Sequence, residues 1–201
     1  MNLGAIRIHF KALLNRSDIT DALALTFINQ SISRIQRTLR IPSMEKTHEY
    51  TISAATGEVL LPNDFLEGID ISYANHTLTR LPMGEMLDRK NTGETGNPHF
   101  FTREGGKFLI TPAPSSGKLQ LNYYSQFGAM SSDSDENNLA AIGSDLLIYG
   151  ALTYAADYYL DERGGLFEQK YMQFMNEIQD QANEAEVTGS LQAIRPTYTY
   201  H

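Results

Sequence analysis

A chain of 201 residues with 41 % hydrophobic and 20 % charged residues can bury a substantial core, so disorder is not the default and one large domain or two interleaved small ones are expected. It has no cysteine, which excludes disulfides, thiolate-zinc sites and cysteine nucleophiles together. A net charge of −8 argues against ordinary nucleic-acid binding, which rests on neutralising phosphates with Lys and Arg.

The opening run Met1 to Arg7 shows no basic leader followed by an apolar stretch, so an export signal is not expected and the cytoplasm is the expected place of synthesis. Ile6 to Leu14 reads as a short helix. Ser17-Asp18-Ile19-Thr20-Asp21 then offers caps for a second helix, on which Ile28, Ile32, Ile35 and Leu39 recur at helical spacing. Arg34, Arg37 and Arg40 crowd its last turns, where cations are favoured, before Pro42. From Glu45 the period changes to two. Tyr50 and Ile52, then Ile69, Ile71 and Tyr73, then Phe108 and Ile110, then Leu119, Leu121 and Tyr123 alternate with polar residues. Turn residues at 55–58, 104–107 and 112–117 separate these runs, which predicts a three-stranded antiparallel meander from Phe100 to Phe127. Met83 to Lys90 permits a helix, and Asn91 to Pro98 reads as a loop.

Helical spacing returns after an acidic, Ser-rich hinge at 131–138. One stripe is Leu147, Ala151, Tyr154 and Tyr158; the next is Phe167, Tyr171, Phe174, Ile178 and Ala182, with Gly164-Gly165 expected to break the two into a hairpin. Gly150 and Ala151 are small enough to admit a neighbouring helix. The run Leu146 to Ala156 is far short of the ~20 residues of a bilayer span, so it reads as a core helix and no membrane is implied. The end of the chain is too apolar to be a solubilising tail and too short to fold alone. Leu191, Ile194, Tyr198 and Tyr200 are apolar anchors, Pro196 stiffens the segment and Arg195 is available to a carboxylate. It reads as an arm that docks on a partner.

Charge is unevenly spread. Residues 1–44 carry six basic against two acidic groups, whereas residues 129–190 carry two against twelve. Opposite signs on the two helical ends suggest that they lie against each other, within or between subunits. Subunit-interface or channel candidates are Arg34, Arg37 and Arg40 on one side, and Asp157, Asp161, Glu177, Asp180 and Glu184 on the other.

No catalytic constellation converges. His9, His48, His76, His99 and His201 are scattered, without the i, i+4 pair of a helical metal site. Gly93-Glu94-Thr95-Gly96 lacks the Gly-Lys-Ser/Thr ending of a phosphate loop, and there is no Gly-x-Ser-x-Gly elbow. Asp133, Asp135 and Glu136 lack the glycine and terminal glutamate of a calcium loop. The tyrosines at 149, 154, 158, 159 and 171 read as helix packing. Catalytic, cofactor-binding and metal residues are therefore all expected to be none.

Taken in order, several segments resemble the head-to-tail adaptor (connector) proteins of short-tailed bacteriophages. They are Ile19-Thr20-Asp21 through Arg40-Ile41-Pro42-Ser43-Met44-Glu45, Leu61-Pro62-Asn63-Asp64-Phe65-Leu66-Glu67, Thr95-Gly96-Asn97-Pro98, Glu104-Gly105-Gly106-Lys107-Phe108, Thr111-Pro112-Ala113-Pro114, Leu121-Asn122-Tyr123-Tyr124 and Leu146 to Leu152 with the following helix. The resemblance implies an α+β protein: a helical bundle formed by the N- and C-terminal helices, an inserted antiparallel β-rich lobe and an extended C-terminal arm. The expected boundaries are 1–44, 45–128, 129–187 and 188–201. It also implies a non-enzymatic virion protein at the head-tail junction, made in the host cytoplasm. Its implied partners are the portal protein, the tail nozzle protein and itself in a ring of twelve, with DNA passing through without specific binding. A tail-associated cell-wall hydrolase and a non-viral helical protein-binding module are the readings from other classes.

Overall fold

The computed structural model describes residues 1–53 and 55–188; the arm residues Leu191, Ile194, Arg195, Pro196, Tyr198 and Tyr200 lie outside them. In chain order the elements are α1 (Leu3–Leu14), α2 (Asp21–Thr38), β1 (Glu45–Ile52), β2 (Glu58–Leu60), β3 (Phe65–Tyr73), β4 (His76–Thr77), β5 (Thr79–Arg80), α3 (Met83–Lys90), β6 (Phe100–Glu104), β7 (Lys107–Thr111), β8 (Gly117–Ser125), α4 (Asn138–Ile142), α5 (Ser144–Tyr159) and α6 (Gly164–Thr188). The protein is mixed α+β. One unit joins Met1–Ser43 to the described residues from Phe127 onward, and the other is Met44–Gln126.

In the helical unit, local chemistry sets the helix ends. The Asn2 side chain accepts from the Ala5 N–H at 3.0 Å to start α1, and Thr20 Oγ1 accepts from the Leu23 N–H at 3.2 Å to start α2. Leu3, Ile6, Phe10 and Leu14 bury one face of α1, and Ala24, Phe27, Ile28, Ile32 and Ile35 bury one face of α2. Helix α5 packs on α1, α2, α4 and α6, and is buried over most of its circumference. Its hidden surface takes in Leu146, Ile148, Leu152, Ala155 and Ala156 as well as Leu147 and Ala151. Tyr158, expected on the buried stripe, is instead 63 % exposed, because it lies in the last turn, with its ring centroid 5.7 Å from that of Phe27 in a T-shaped arrangement.

The closest approach is at Gly150. A Cβ there would lie 2.2 Å from Ser31 Oγ on α2 and 3.2 Å from the Tyr171 ring on α6. Ser31 is fully buried and donates to the Leu147 carbonyl at 2.9 Å, so the contact is a hydrogen bond laid over a glycine.

Gly164-Gly165 does not make the break between α5 and α6; both glycines belong to α6. The turn is closed earlier. Leu160 takes a left-handed φ of 53°, and the Asp161 N–H reaches back to the Ala156 carbonyl at 2.8 Å. Leu160 pays roughly 1–2 kcal/mol for that backbone and is 89 % exposed.

In the other unit two four-stranded sheets run in the orders β1-β8-β3-β4 and β2-β7-β6-β5. All pairs are antiparallel except β5 with β6. The expected meander is half formed: β6 and β7 pair, but β8 leaves for the other sheet, between β1 and β3. The reason is burial. Phe108 and Ile110 of β7 and Leu119, Leu121 and Tyr123 of β8 belong to one core cluster, so the two strands contribute to the same core from different sheets. The other side of β7 is also hidden, at Leu109 and Thr111, where α3 packs and buries Met86 completely. Ile69 was expected inside with Ile71 but is 45 % exposed, because a register shift between Gly68 and Asp70 leaves it without a partner on β8.

Replacing Gly150 by Ala is expected to destabilise the chain by about 1–3 kcal/mol through overpacking. The same change in a Ser31→Ala background should cost less, since the clashing Oγ is then absent. Urea unfolding of the four proteins in this double-mutant cycle measures both effects; strict additivity would mean that the two positions do not meet.

Candidate functional site

The charged residues at the helical ends are brought together within one chain. Arg34 of α2 donates to both oxygens of Glu168 on α6, at 2.9 and 2.6 Å, with its guanidinium 4.1 Å above the Tyr171 ring. That two-pronged contact lowers the Glu168 carboxyl and raises the Arg34 guanidinium from their ordinary values. Arg7 of α1 donates to Asp133 at 2.6 Å, and the amino group of Met1 pairs with Glu136. Arg163, from the α5–α6 turn, donates to the Leu13 and Leu14 carbonyls at 3.2 and 2.8 Å, where α1 ends with unsatisfied acceptors.

The other sequence candidates are distributed differently. Arg40 turns onto its own helix end, donating to the carbonyls of Gln36 and Leu39, while Gln179 of α6 exchanges two hydrogen bonds with the Arg40 backbone. Arg37 is exposed beside the open polar groove lined by Thr26, Asn29, Gln30, Ser33 and Tyr154. Asp157 is exposed on α5; Glu177, Asp180 and Glu184 are exposed on α6, where Glu177 accepts from Gln173 at 2.7 Å. Asp161 is committed to Arg163, accepting from its backbone N–H at 3.0 Å and from Nη2 at 2.6 Å.

Among the described residues no group of three or more His, Asp or Glu side chains is arranged to hold a metal ion, and no helix is long and apolar enough to cross a membrane. Every carboxylate with a displaced pKa in this set is displaced downward, by an ion pair or by backbone and hydroxyl donors. A general acid working near neutrality needs the opposite displacement.

One surface was not read from the sequence. Ile41 and Ser43, in the turn after α2, join Ile142 at the end of α4 and Ile178 and Ala182 of α6 in lining an apolar groove of about 300 Å³. Ile142 is 48 % exposed on this groove, and the buried Ser43 Oγ has no hydrogen-bond partner among the described residues. Ile178 and Ala182 are legible as a helical stripe, but the residues that complete the groove come from sequence-distant turns.

The SU10 adaptor protein family model matches residues 1–194. The chain belongs to the SU10 adaptor protein family. The family is one of phage head-to-tail adaptors, which makes this protein a structural virion component of a class not known for enzymatic activity. No curated protein matches the chain.

Asp161 supplies a pH test of this adaptor's helical hairpin. Hydrogen bonds from the Arg163 side chain and then its backbone hold its carboxyl at about 2, below the ordinary 3.8. A folded value below the unfolded one gives stability that is complete above the ordinary pKa and is lost as pH falls through the folded one. Asp161→Asn should therefore be less stable than the wild type at neutral pH and nearly equal to it near pH 2. Thermal unfolding across that range checks this; a stability gap independent of pH would contradict it.

Proposed function

We propose that this protein is a head-to-tail adaptor that forms a ring beneath the portal, links the portal to the tail nozzle and closes the joint in the DNA exit channel. The family match over residues 1–194 carries the reading. The packing of α1 and α2 with α5 and α6 supports a bundle built from both chain ends, and Met44–Gln126 supplies the β-rich insertion. The segment with Leu191, Ile194, Arg195, Pro196, Tyr198 and Tyr200 is the portal-docking arm in this proposal. Burying one large apolar side chain gains about 1.5–3 kcal/mol, while ordering the backbone costs about 1–2 kcal/mol per residue. A single arm is thus a weak binder, and many arms on one portal ring hold through effective concentration.

Arg34, Arg7 and Arg163 are already engaged within the subunit. Contacts between copies are left to exposed groups such as Arg37 and the outer acidic positions of α6. Exposed pairs contribute about 0–1 kcal/mol each, enough to set register without holding a ring. Light scattering of the purified protein at micromolar concentration should give a monomer, with a ring forming only on portal. Removing Leu191–His201 should leave the fold intact and prevent attachment, giving heads without tails. A salt-resistant ring without portal, or truncated protein that attaches normally, would overturn the proposal.

DNA passes through this ring without specific binding, and Asp157, Glu177, Asp180 and Glu184 are the candidates for a non-adhesive lining. Low-salt gel shifts should show no retention of duplex DNA; submicromolar, strongly salt-dependent binding would contradict this.

A further inference from the structure

The two sheets of Met44–Gln126 leave one seam open. β4 covers only Ser72 and Tyr73 of β3, so Phe65–Asp70 has no strand on its outer side among the described residues. β5 covers only Phe100 and Phe101 of β6. Between these open edges lies a groove of about 600 Å³, lined by Arg80 and Arg103 on the face of their sheet that also carries Phe101 and Phe108. Neither arginine has a carboxylate partner among the described residues; Arg103 donates to the Gly105 carbonyl at 3.3 Å and lies 5.1 Å from the centre of the Phe65 ring. A second open edge stands at the far side of the β1-β8-β3 sheet. There β1 runs eight residues beside β8 without a register shift, and Glu45–Glu49 are all exposed. A long edge with no bulge and no proline is a template for another strand.

We propose that the seam takes β1 of a second copy, added antiparallel to β3. Within one copy β1 and β3 both run antiparallel to β8, and are therefore parallel to each other. Their pairing with β8 puts Glu45, Thr47, Glu49, Glu67 and Asp70 on the outer face of the sheet, and Lys46 and His48 on the face that carries the core residue Ile52. Parallel addition of a second copy would set its Glu45 and Glu49 beside Glu67 and Asp70, and its Lys46 against the two arginines. Like charges would meet on both faces. Turning the incoming copy over reverses its strand direction and exchanges its two faces together. Its Glu45, Thr47 and Glu49 then face Arg80 and Arg103, and its Lys46 lies beside Asp70. That register brings Thr47 to the bulge at Ile69 and Glu49 to Phe65, beneath Arg103. Lys46 and Glu49 exchange exposed pairs with Asp64 and Lys118 for the new ones, so the contact is weak and agrees with a monomer at micromolar concentration. Repeating a half-turn step gives an open chain and never a closed ring. The contact therefore lies beyond the adaptor reading: it belongs to copies that are not in a ring, and covers one open edge on each.

Disulfide trapping on the purified full-length chain tests this without portal, so its failure leaves the adaptor reading standing. The chain has no cysteine, which makes each introduced one unique. A mixture of Thr47→Cys and Ile69→Cys proteins under mild oxidation should form the mixed disulfide at least about tenfold faster than a mixture of Asp157→Cys and Ile69→Cys. Arg80→Glu/Arg103→Glu in the Ile69→Cys protein should bring that rate down to the control, and Glu45→Lys/Glu49→Lys in the Thr47→Cys protein should restore it. The lysine pair opposite unaltered arginines should abolish the preference by itself, which keeps the test in force if the glutamate variant fails to melt cooperatively. A mixed disulfide no faster than the control, or one indifferent to both reversals, would overturn the proposal. So would Thr47→Cys chains that link to each other faster than to Ile69→Cys, since β1 would then pair with itself.

Discussion

Helix α5 is surrounded by other helices, and at Gly150 the missing side chain leaves room for a close approach. With four helices packed on it, α5 has little freedom in how closely each approaches, and at Gly150 two neighbours arrive together. Ser31 donates its hydroxyl to the Leu147 carbonyl there, and the Tyr171 ring lies 3.2 Å from where a Cβ would stand. That placement in turn sets Tyr171 beneath the Arg34 guanidinium, which then meets both oxygens of Glu168. A packing constraint thus positions the unit's two-pronged ion pair. The order of cause matters, because a partly exposed pair adds little energy of its own but records the geometry that packing has imposed.

Part of the chain's uneven charge is paired inside the subunit. Arg7, Arg34 and Arg163 hold Asp133, Glu168 and Asp161, and the last of these arginines also covers the carbonyl end of α1. Leu160 is exposed in its left-handed turn, and Ile142 is half exposed beside Ser43, whose Oγ has no hydrogen-bond partner among the described residues.

Met44–Gln126 follows a different logic. Its core is shared between two sheets, with Phe65 5.8 Å from Phe108 and 5.7 Å from Tyr123 between ring centroids. Strand order is governed by which residues reach that core, and adjacency in sequence is secondary. The strand after the Pro-Ala-Pro run at 112–114 therefore joins β1 and β3.

The sequence by itself determined the α+β class, the change from helical to strand spacing at Glu45, the cap at Thr20 and the stripes of α2 and α6, because each rests on residues within one or two turns of one another. The smallness of Gly150 was legible too, though not that Ser31 and Tyr171 would fill the space. Only the tertiary structure decided that β8 leaves the β6–β7 hairpin, that Ile69 faces outward, that Leu160 makes the turn credited to Gly164-Gly165, and that Arg34 belongs to Glu168. It also assembled the groove from Ile41, Ser43, Ile142, Ile178 and Ala182. Each of these depends on residues far apart in the chain meeting in a shared core or against a common helix, and periodicity read along one segment carries no information about what that segment will meet.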